Sequence, residues 1–285
     1  WLQPNALEVF DKEVRMLLDA IPDAYIIARF GMHPSNEWIE HNPGECVTYS
    51  DGASPPARIF SECYDTIAPH WYSLCSQKWR EDAGKALVAT WKEVMKLPYF
   101  DRIICCFPTG GSTSEWGYRT PLVQWSKKRC LGYSKAFRRE FSDYLRRKYK
   151  TDEALQKAWK NPNVTLENPT IPDCEGRYYV YGVDYDMTHP EKLWANSEDV
   201  PAPGNGTNIG TFLDVDKRLD VYDFYRAWHQ GTADSVIYFG NLIKRHYPNM
   251  LTGAFYGSAG SCKFHSMGQI GSVCRILESD AIDFL

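Results

Sequence analysis

Apolar residues recur along this chain in two different spacings, and the two spacings alternate. Between residues 7 and 21 they fall mostly three or four positions apart, which predicts an amphipathic helix that ends at Pro22. Residues 25–30 are instead a short run rich in β-branched and aromatic side chains, which predicts a buried strand. The first two predicted elements are therefore a helix and a strand.

The same alternation returns further along the chain. Helical spacing marks residues 83–94, 137–145 and 217–246, and a shorter helix is predicted to follow Thr151, a residue type favoured at helix N-caps. Strands are predicted at residues 103–107, 251–256 and 281–285. Strands that alternate with helices favour a parallel sheet, and we predict an α/β fold of the (β/α)8, or TIM-barrel, type. An open doubly wound sheet is the alternative, although no GxGxxG follows a predicted strand.

The length favours a single domain. The chain has 285 residues, and α/β barrels of roughly 250 residues commonly form one domain. Residues from about 161 to 216 are rich in Pro, Gly, Asn and Tyr and show no sustained period. We interpret them as an excursion within one partial barrel domain that spans residues 1–285.

Charge and composition exclude several classes of partner. A net charge of -4 gives no general attraction to nucleic acid, and no apolar run approaches the ~20 residues that span a bilayer. We therefore expect a soluble protein, with the cytoplasm favoured, that binds neither nucleic acid nor membrane. The nine cysteines are odd in number and include no CxxC pair, so we expect mostly free, buried thiols, and neither a metal nor a cofactor.

The segment after the predicted strand at 103–107 is the most informative for chemistry. From Pro108 to Tyr118 it reads PTGGSTSEWGY, a glycine-rich turn that carries Glu115 between aromatic residues. Active sites of parallel barrels are built from the loops after the strand C-termini. Glu115 is therefore the candidate proton donor to a glycosidic oxygen, a role that needs a carboxyl group whose pKa is raised. The alternative is an ordinary exposed glutamate.

The candidate substrate-binding residues lie in or near predicted strand ends and loops. Aromatic faces can stack on sugar rings, histidines can bind hydroxyl groups, and an arginine in an apolar strand needs an anionic partner. For each residue a structural role is the alternative, namely core packing, a solvated loop or a salt bridge. These candidates, with an oligo- or polysaccharide as the expected partner, are Arg29, His33, Trp38, Ser114, Trp116, Tyr118, Tyr256 and Asp283.

Three segments resemble the β-galactosidase-like barrels of glycoside hydrolase family 42 and its relatives in clan A. They are GSTSEW around Glu115, residues 133–159 with FRR and ALQKAW, and LESDAIDF at residues 277–284. The resemblance implies a retaining barrel enzyme, with Glu115 as acid/base after the fourth strand and a nucleophilic glutamate after the seventh. The family often has asparagine before the acid/base residue. Ser114 stands there in this chain, which removes the usual amide contact to the sugar 2-hydroxyl.

On this resemblance the predicted strands are the third to the sixth of the barrel, so the nucleophile lies outside residues 1–285. We therefore expect missing segments, or another chain in a homo-oligomer, to complete the barrel. A retaining pair of carboxyl groups lies about 5–5.5 Å apart. Two alternatives are a catalytically silent carbohydrate-binding fragment, and an inverting hydrolase in which Asp283 activates water about 6.5–9.5 Å from Glu115.

Overall fold

The described part of the chain alternates helices with short strands. The computed structural model describes residues 6–60, 65–68, 70–111, 114–117, 123–124, 129–173, 177, 215–256 and 270–285. The helices are α1 (Ala6–Ala20), α2 (Asn36–His41), α3 (Gln77–Val94), α4 (Lys135–Tyr149), α5 (Asp152–Trp159), α6 (Leu219–His246) and α7 (Val273–Leu277). The strands are β1 (Ile26–Gly31), β2 (Ala57–Phe60), β3 (Asp65–Ala68), β4 (Ile103–Thr109), β5 (Val123–Gln124), β6 (Arg129–Cys130) and β7 (Leu251–Thr252).

A parallel sheet organises these elements. Its strands lie in the order β1-β4-β7, and both pairings are parallel. A parallel bridge between Gly253 and Phe284 adds a fourth position beside β7. The strands of this sheet therefore lie side by side in the order in which they occur in the sequence, as the strands of a barrel do. The predicted order of the parallel strands is confirmed. Of the predicted strand at 251–256 only Leu251–Thr252 forms, and the predicted strand at 281–285 is reduced to the single bridge at Phe284.

Two antiparallel pairs, β2 with β3 and β5 with β6, lie outside the alternating pattern and were not predicted.

The predicted N-cap of α5 is confirmed, since the Thr151 hydroxyl accepts a hydrogen bond from the Ala154 amide at 3.2 Å. Residues 161–173 contain neither helix nor strand, in agreement with the predicted irregular segment. Most of the remainder of that segment lies outside the described residues.

The main core lies between the sheet and the long helices. Phe30 of β1 contacts Phe10 of α1 and Trp91 of α3, with ring centroids 5.8 and 5.5 Å apart. Trp79, at the start of α3, contacts Phe239 of α6 at 5.4 Å, and its indole N–H donates to the Met32 carbonyl at 2.8 Å. These contacts fix the end of β1 against the helices.

A buried carboxylate joins α4, α5 and α6. Asp223 of α6 is fully buried and accepts hydrogen bonds from the Tyr144 hydroxyl at 3.1 Å, the Tyr149 hydroxyl at 2.6 Å and the Trp159 indole at 2.9 Å. The Lys148 ammonium lies 2.5 Å from the same carboxylate. Four side chains of the segment at residues 133–159, which carries the family resemblance, therefore have a structural role.

The sheet face turned away from the helices is only partly covered. In β1, buried residues alternate with more exposed ones, and Ile27 is 49% exposed. Leu251, Phe255 and Phe284 are 41%, 45% and 38% exposed. Phe107 of β4 contacts the rings of Phe255 and Phe284 at 4.7 and 5.8 Å. The apolar side chains of this face thus form a patch that remains accessible.

The expected state of the cysteines is confirmed for those that the structure describes. Cys46, Cys75, Cys105, Cys106 and Cys130 are free and buried, whereas Cys274 is free and exposed. Burial raises the pKa of each buried thiol for which a shift is resolved, Cys46, Cys75, Cys105 and Cys106. Such thiols act as small apolar groups.

Among the described helices, none combines the length and the apolar character that crossing a membrane requires.

Candidate functional site

The loop after β4 closes on itself and carries Glu115 at its surface. The Trp116 amide donates to the Gly110 carbonyl at 2.7 Å, and Gly111 forms a parallel bridge with Gly117. The Glu115 side chain is exposed, whereas the residues on either side of it are buried. The loop therefore projects one carboxylate from the end of a central strand of the sheet.

The backbone on both sides of Glu115 has an uncommon conformation. Ser114 has φ of 64° and Trp116 has φ of 58°, and both values lie in the left-handed region that residues with a side chain seldom occupy. Strained backbone of this kind is concentrated at active sites and ligand-binding loops. The backbone conformation therefore favours a functional role for Glu115. The spacing of residues in the sequence does not reveal it.

Glycine is required where the loop closes. Gly111 has φ of 79°, and a Cβ atom added there would lie 2.4 Å from the Gly117 carbonyl oxygen. We expect Gly111→Ala to lower the free energy of unfolding by about 2 kcal/mol or more, since strain and a backbone clash combine. Gly52→Ala is the matched control, because Gly52 has φ of 84° with no atom within 4 Å of the added Cβ. Equal losses in urea unfolding would contradict a specific requirement at Gly111.

Trp116 packs into the core. Its side chain is fully buried, and its ring contacts those of Trp79 at 6.4 Å and Phe239 at 5.8 Å. The ring faces are therefore used within the protein, as the core-packing alternative states, and stacking on a sugar is not supported. Ser114 is also buried, at 3% exposure. Tyr118 lies outside the described residues.

His33 lies just after β1 and is buried rather than solvated. Its Nδ1 atom lies 3.1 Å from the Tyr72 hydroxyl, and burial lowers the pKa of the ring to about 4. The imidazole is therefore neutral at pH 7. The Tyr72 hydroxyl oxygen also accepts a hydrogen bond from the Gly111 amide at 3.1 Å. Tyr72, which the sequence analysis missed, thus brings His33 and the Glu115 loop together.

Arg29 lies on β1, and Tyr256 follows β7, which β4 separates from β1 in the sheet. The Arg29 guanidinium lies 5.1 Å from the centre of the Phe255 ring, a cation–π contact. Tyr256 is 5% exposed, and its hydroxyl has no hydrogen-bond partner among the residues that the structure describes. Burial, followed by the charges of Asp234 and Cys75, raises the pKa of that hydroxyl. Both residues lie toward the edge of the sheet from which the Glu115 loop projects.

Trp38 is held in place by α3. Its indole N–H donates to Asp82 at 3.0 Å, and its side chain packs against the hydrophobic core. The Ser35 hydroxyl caps α2 by accepting from the Trp38 amide at 3.2 Å. These contacts give Trp38 a structural role, although it remains a candidate for a sugar contact through its exposed part.

Asp283 lies beside Thr252, the last residue of β7, and its side chain is paired with α6. Its carboxylate is 2.6 Å from both the Lys244 ammonium and the Thr252 amide nitrogen. Burial alone would raise the pKa of Asp283, but these hydrogen bonds outweigh it and lower that pKa. An ion-paired carboxylate with a lowered pKa is poorly suited to be a general base. We therefore do not retain the inverting alternative.

The Asp283 ion pair makes stability depend on pH. We expect Asp283→Asn to lower the free energy of unfolding by about 1 kcal/mol at neutral pH, since the pair with Lys244 is partly exposed. A carboxylate whose pKa is lowered on folding stabilises the protein above its unfolded pKa of about 3.9, and loses this effect as the pH falls through the folded pKa. Urea unfolding should show that the difference from the unaltered protein shrinks below about pH 4. A constant difference would contradict the assignment.

Comparison with known proteins identifies the fold. The sequence matches no protein-family model and no curated protein. The structure is similar to the catalytic domain of β-amylase from Paenibacillus polymyxa, with a TM-score of 0.55 and 12% identity. The match covers 96% of this chain and 63% of that domain, so this chain spans less than two thirds of its neighbour.

Two β-galactosidases are also similar in structure, at lower TM-scores. The enzyme from the psychrophilic Marinomonas ef1 has a TM-score of 0.49 at 15% identity, over 84% of this chain and 28% of that chain. The enzyme from Bacillus circulans sp. alkalophilus has a TM-score of 0.41 at 12% identity, over 87% and 28%. The fold assignment rests on the β-amylase domain: this chain has a partial parallel α/β fold similar to that of the domain.

Proposed function

We propose that this chain is part of a retaining β-glycosidase, with β-galactosides as the favoured substrates and Glu115 as the general acid/base. The observation that carries the proposal is the placement of Glu115, an exposed carboxylate on a closed and strained loop directly after β4. The C-terminal ends of parallel barrel strands are where such enzymes hold their catalytic groups. The similarity in fold to a β-amylase catalytic domain supports the broader part of the proposal, hydrolysis of a glycosidic bond.

In this mechanism the proton moves twice through Glu115. The protonated carboxyl group first donates to the glycosidic oxygen, so that the leaving group departs as an alcohol while a second carboxylate bonds to the anomeric carbon. Glu115, now ionised, then takes a proton from water, whose oxygen replaces the carboxylate at that carbon. We propose that the second carboxylate belongs to a residue outside 1–285, as the resemblance to family 42 implies. Asp283 is held by Lys244 and Thr252.

We further propose that additional strands complete the barrel. Within the described residues, β1 pairs on one side only, and the open sheet face exposes Ile27, Leu251, Phe255 and Phe284. Unpaired strand edges and contiguous apolar patches are usually covered in soluble proteins. Strands from outside these residues, or from a second copy of the chain, would cover both.

A second candidate is a carbohydrate-binding barrel fragment without catalytic activity. The observation that favours it is the ion pair of Asp283 with Lys244, because a carboxylate held in this way is poorly suited to act as the second catalytic group. Calorimetry that detects sugar binding, together with no detectable product, would favour this candidate.

The experiment that tests the main proposal is hydrolysis of a panel of nitrophenyl β-glycosides. We expect the galacto-configured member to be hydrolysed fastest by the full-length protein. We expect kcat of Glu115→Gln to fall on every member that is cleaved, because the attack of water on the sugar–enzyme intermediate still needs a general base even when the nitrophenolate departs without a proton. Unchanged turnover in the variant would contradict the proposal.

A further inference from the structure

Tyr72 lies between the ends of two neighbouring strands. It is 1% exposed, and its hydroxyl lies 3.1 Å from His33 Nδ1, just after β1, and 3.1 Å from the Gly111 amide nitrogen, just after β4. The Gly111 N–H can only donate, so the hydroxyl oxygen accepts from it. The hydroxyl hydrogen is then available for Nδ1 of the neutral His33 ring.

The surrounding core fixes the position of this hydroxyl. The Tyr72 ring contacts that of Trp79 at 4.8 Å and that of His33 at 5.9 Å, and its backbone forms a bridge with Cys46. Trp79 is itself fully buried and bonded to the Met32 carbonyl. These contacts fix the position of the Tyr72 side chain independently of the loop after β4. The position of the Tyr72 hydroxyl therefore constrains the loop.

The amide that Tyr72 binds belongs to the residue on which loop closure depends. Gly111 combines a positive φ with the bridge to Gly117, and Glu115 lies within the closed segment. A hydrogen bond to the Gly111 N–H fixes the orientation of the Gly110–Gly111 peptide, with which the closed segment begins. Small displacements of a catalytic group reduce turnover strongly, by on the order of 100-fold for about 1 Å.

We infer that Tyr72 is a positioning residue for Glu115, acting through the Gly111 amide, and the catalytic part of this inference rests on the function proposed above. The competing explanation is that the Tyr72 hydroxyl only satisfies buried groups. Under that explanation its removal would cost stability and would leave both the loop and the turnover unchanged.

The test is Tyr72→Phe in the full-length protein, with Tyr99→Phe as the matched control. Tyr99 is also buried, and its hydroxyl donates to Asp11 at 2.7 Å, but it precedes β4 instead of contacting the loop after it. We expect hydrogen exchange at residues 110–117 to become faster in Tyr72→Phe and to be unchanged in Tyr99→Phe. For hydrolysis we expect kcat of Tyr72→Phe to fall by about 10- to 100-fold with little change in KM.

Unchanged exchange at residues 110–117 in Tyr72→Phe would overturn the inference. Faster exchange with an unchanged kcat would overturn its catalytic part. Full hydrolysis by Glu115→Gln would instead remove the proposed function and the catalytic part with it, while the exchange result would still decide whether Tyr72 holds the loop. The two failures are therefore distinguishable.

Discussion

Replacing Glu115 with glutamine is expected to lower kcat for β-glycoside hydrolysis by about 10²- to 10⁴-fold, the usual contribution of a general acid/base. Glutamine keeps the size and shape of the side chain but cannot donate and recover a proton at neutral pH. Because the Glu115 side chain is exposed, we expect the free energy of unfolding to change by no more than about 0.5 kcal/mol. Steady-state kinetics and urea unfolding measure the two effects separately.

Glu153→Gln is the matched control for this experiment. Glu153 is an exposed glutamate in the first turn of α5, outside the strand-end loops, and its loss should leave kcat unchanged. Comparable activity in the two variants would show that the Glu115 carboxyl group takes no part in the reaction. A comparable loss in both would point to a general effect of reduced negative charge.

The largest expected effect on stability is that of Asp223→Asn, which should lower the free energy of unfolding by about 3–5 kcal/mol. The substitution removes the charge that pairs with Lys148. It also leaves the buried donor of Tyr144 and the partly buried donors of Tyr149 and Trp159 with a weaker acceptor. Buried donors that lose their partner cost the protein their desolvation free energy.

Asp220→Asn tests whether this effect is specific to the buried carboxylate. Asp220 lies three residues earlier, in the first turn of α6, and forms a partly exposed ion pair with Arg218. Its loss should cost about 1 kcal/mol or less, as is usual for surface pairs. Chemical denaturation of both variants gives the comparison. Similar losses would contradict the role of Asp223 in joining α4, α5 and α6.

The elements that depend on local pattern could be predicted from the sequence. The apolar spacing of Leu87, Trp91 and Val94 lies on α3, and these residues are buried in it. The N-cap at Thr151 depends on a residue type and a local hydrogen bond. The order of the parallel strands followed from their alternation with helices, because crossover helices connect neighbouring parallel strands.

Features that depend on distant contacts could not be predicted. Tyr72 lies 39 positions from each of its partners, His33 and Gly111, and no local spacing marks it. Asp283 is likewise 39 positions from Lys244. Trp116 was assigned to a sugar-stacking surface because it neighbours an exposed glutamate. In the structure Trp116 has a left-handed φ, and its ring packs into the core. The residue type alone predicts neither this backbone angle nor the direction of the ring.

If Glu115 protonates the leaving group, the decrease in activity caused by Glu115→Gln must depend on how much the leaving group needs a proton. Nitrophenolate departs readily without a proton, whereas an alkyl alcohol does not, so general acid catalysis matters more for the alkyl glycoside. The measurement is kcat/KM for a nitrophenyl and an alkyl β-glycoside of the same sugar, in the unaltered full-length protein and in Glu115→Gln. We expect a loss at least about tenfold larger for the alkyl glycoside. Equal losses for the two substrates, or none, would contradict this expectation.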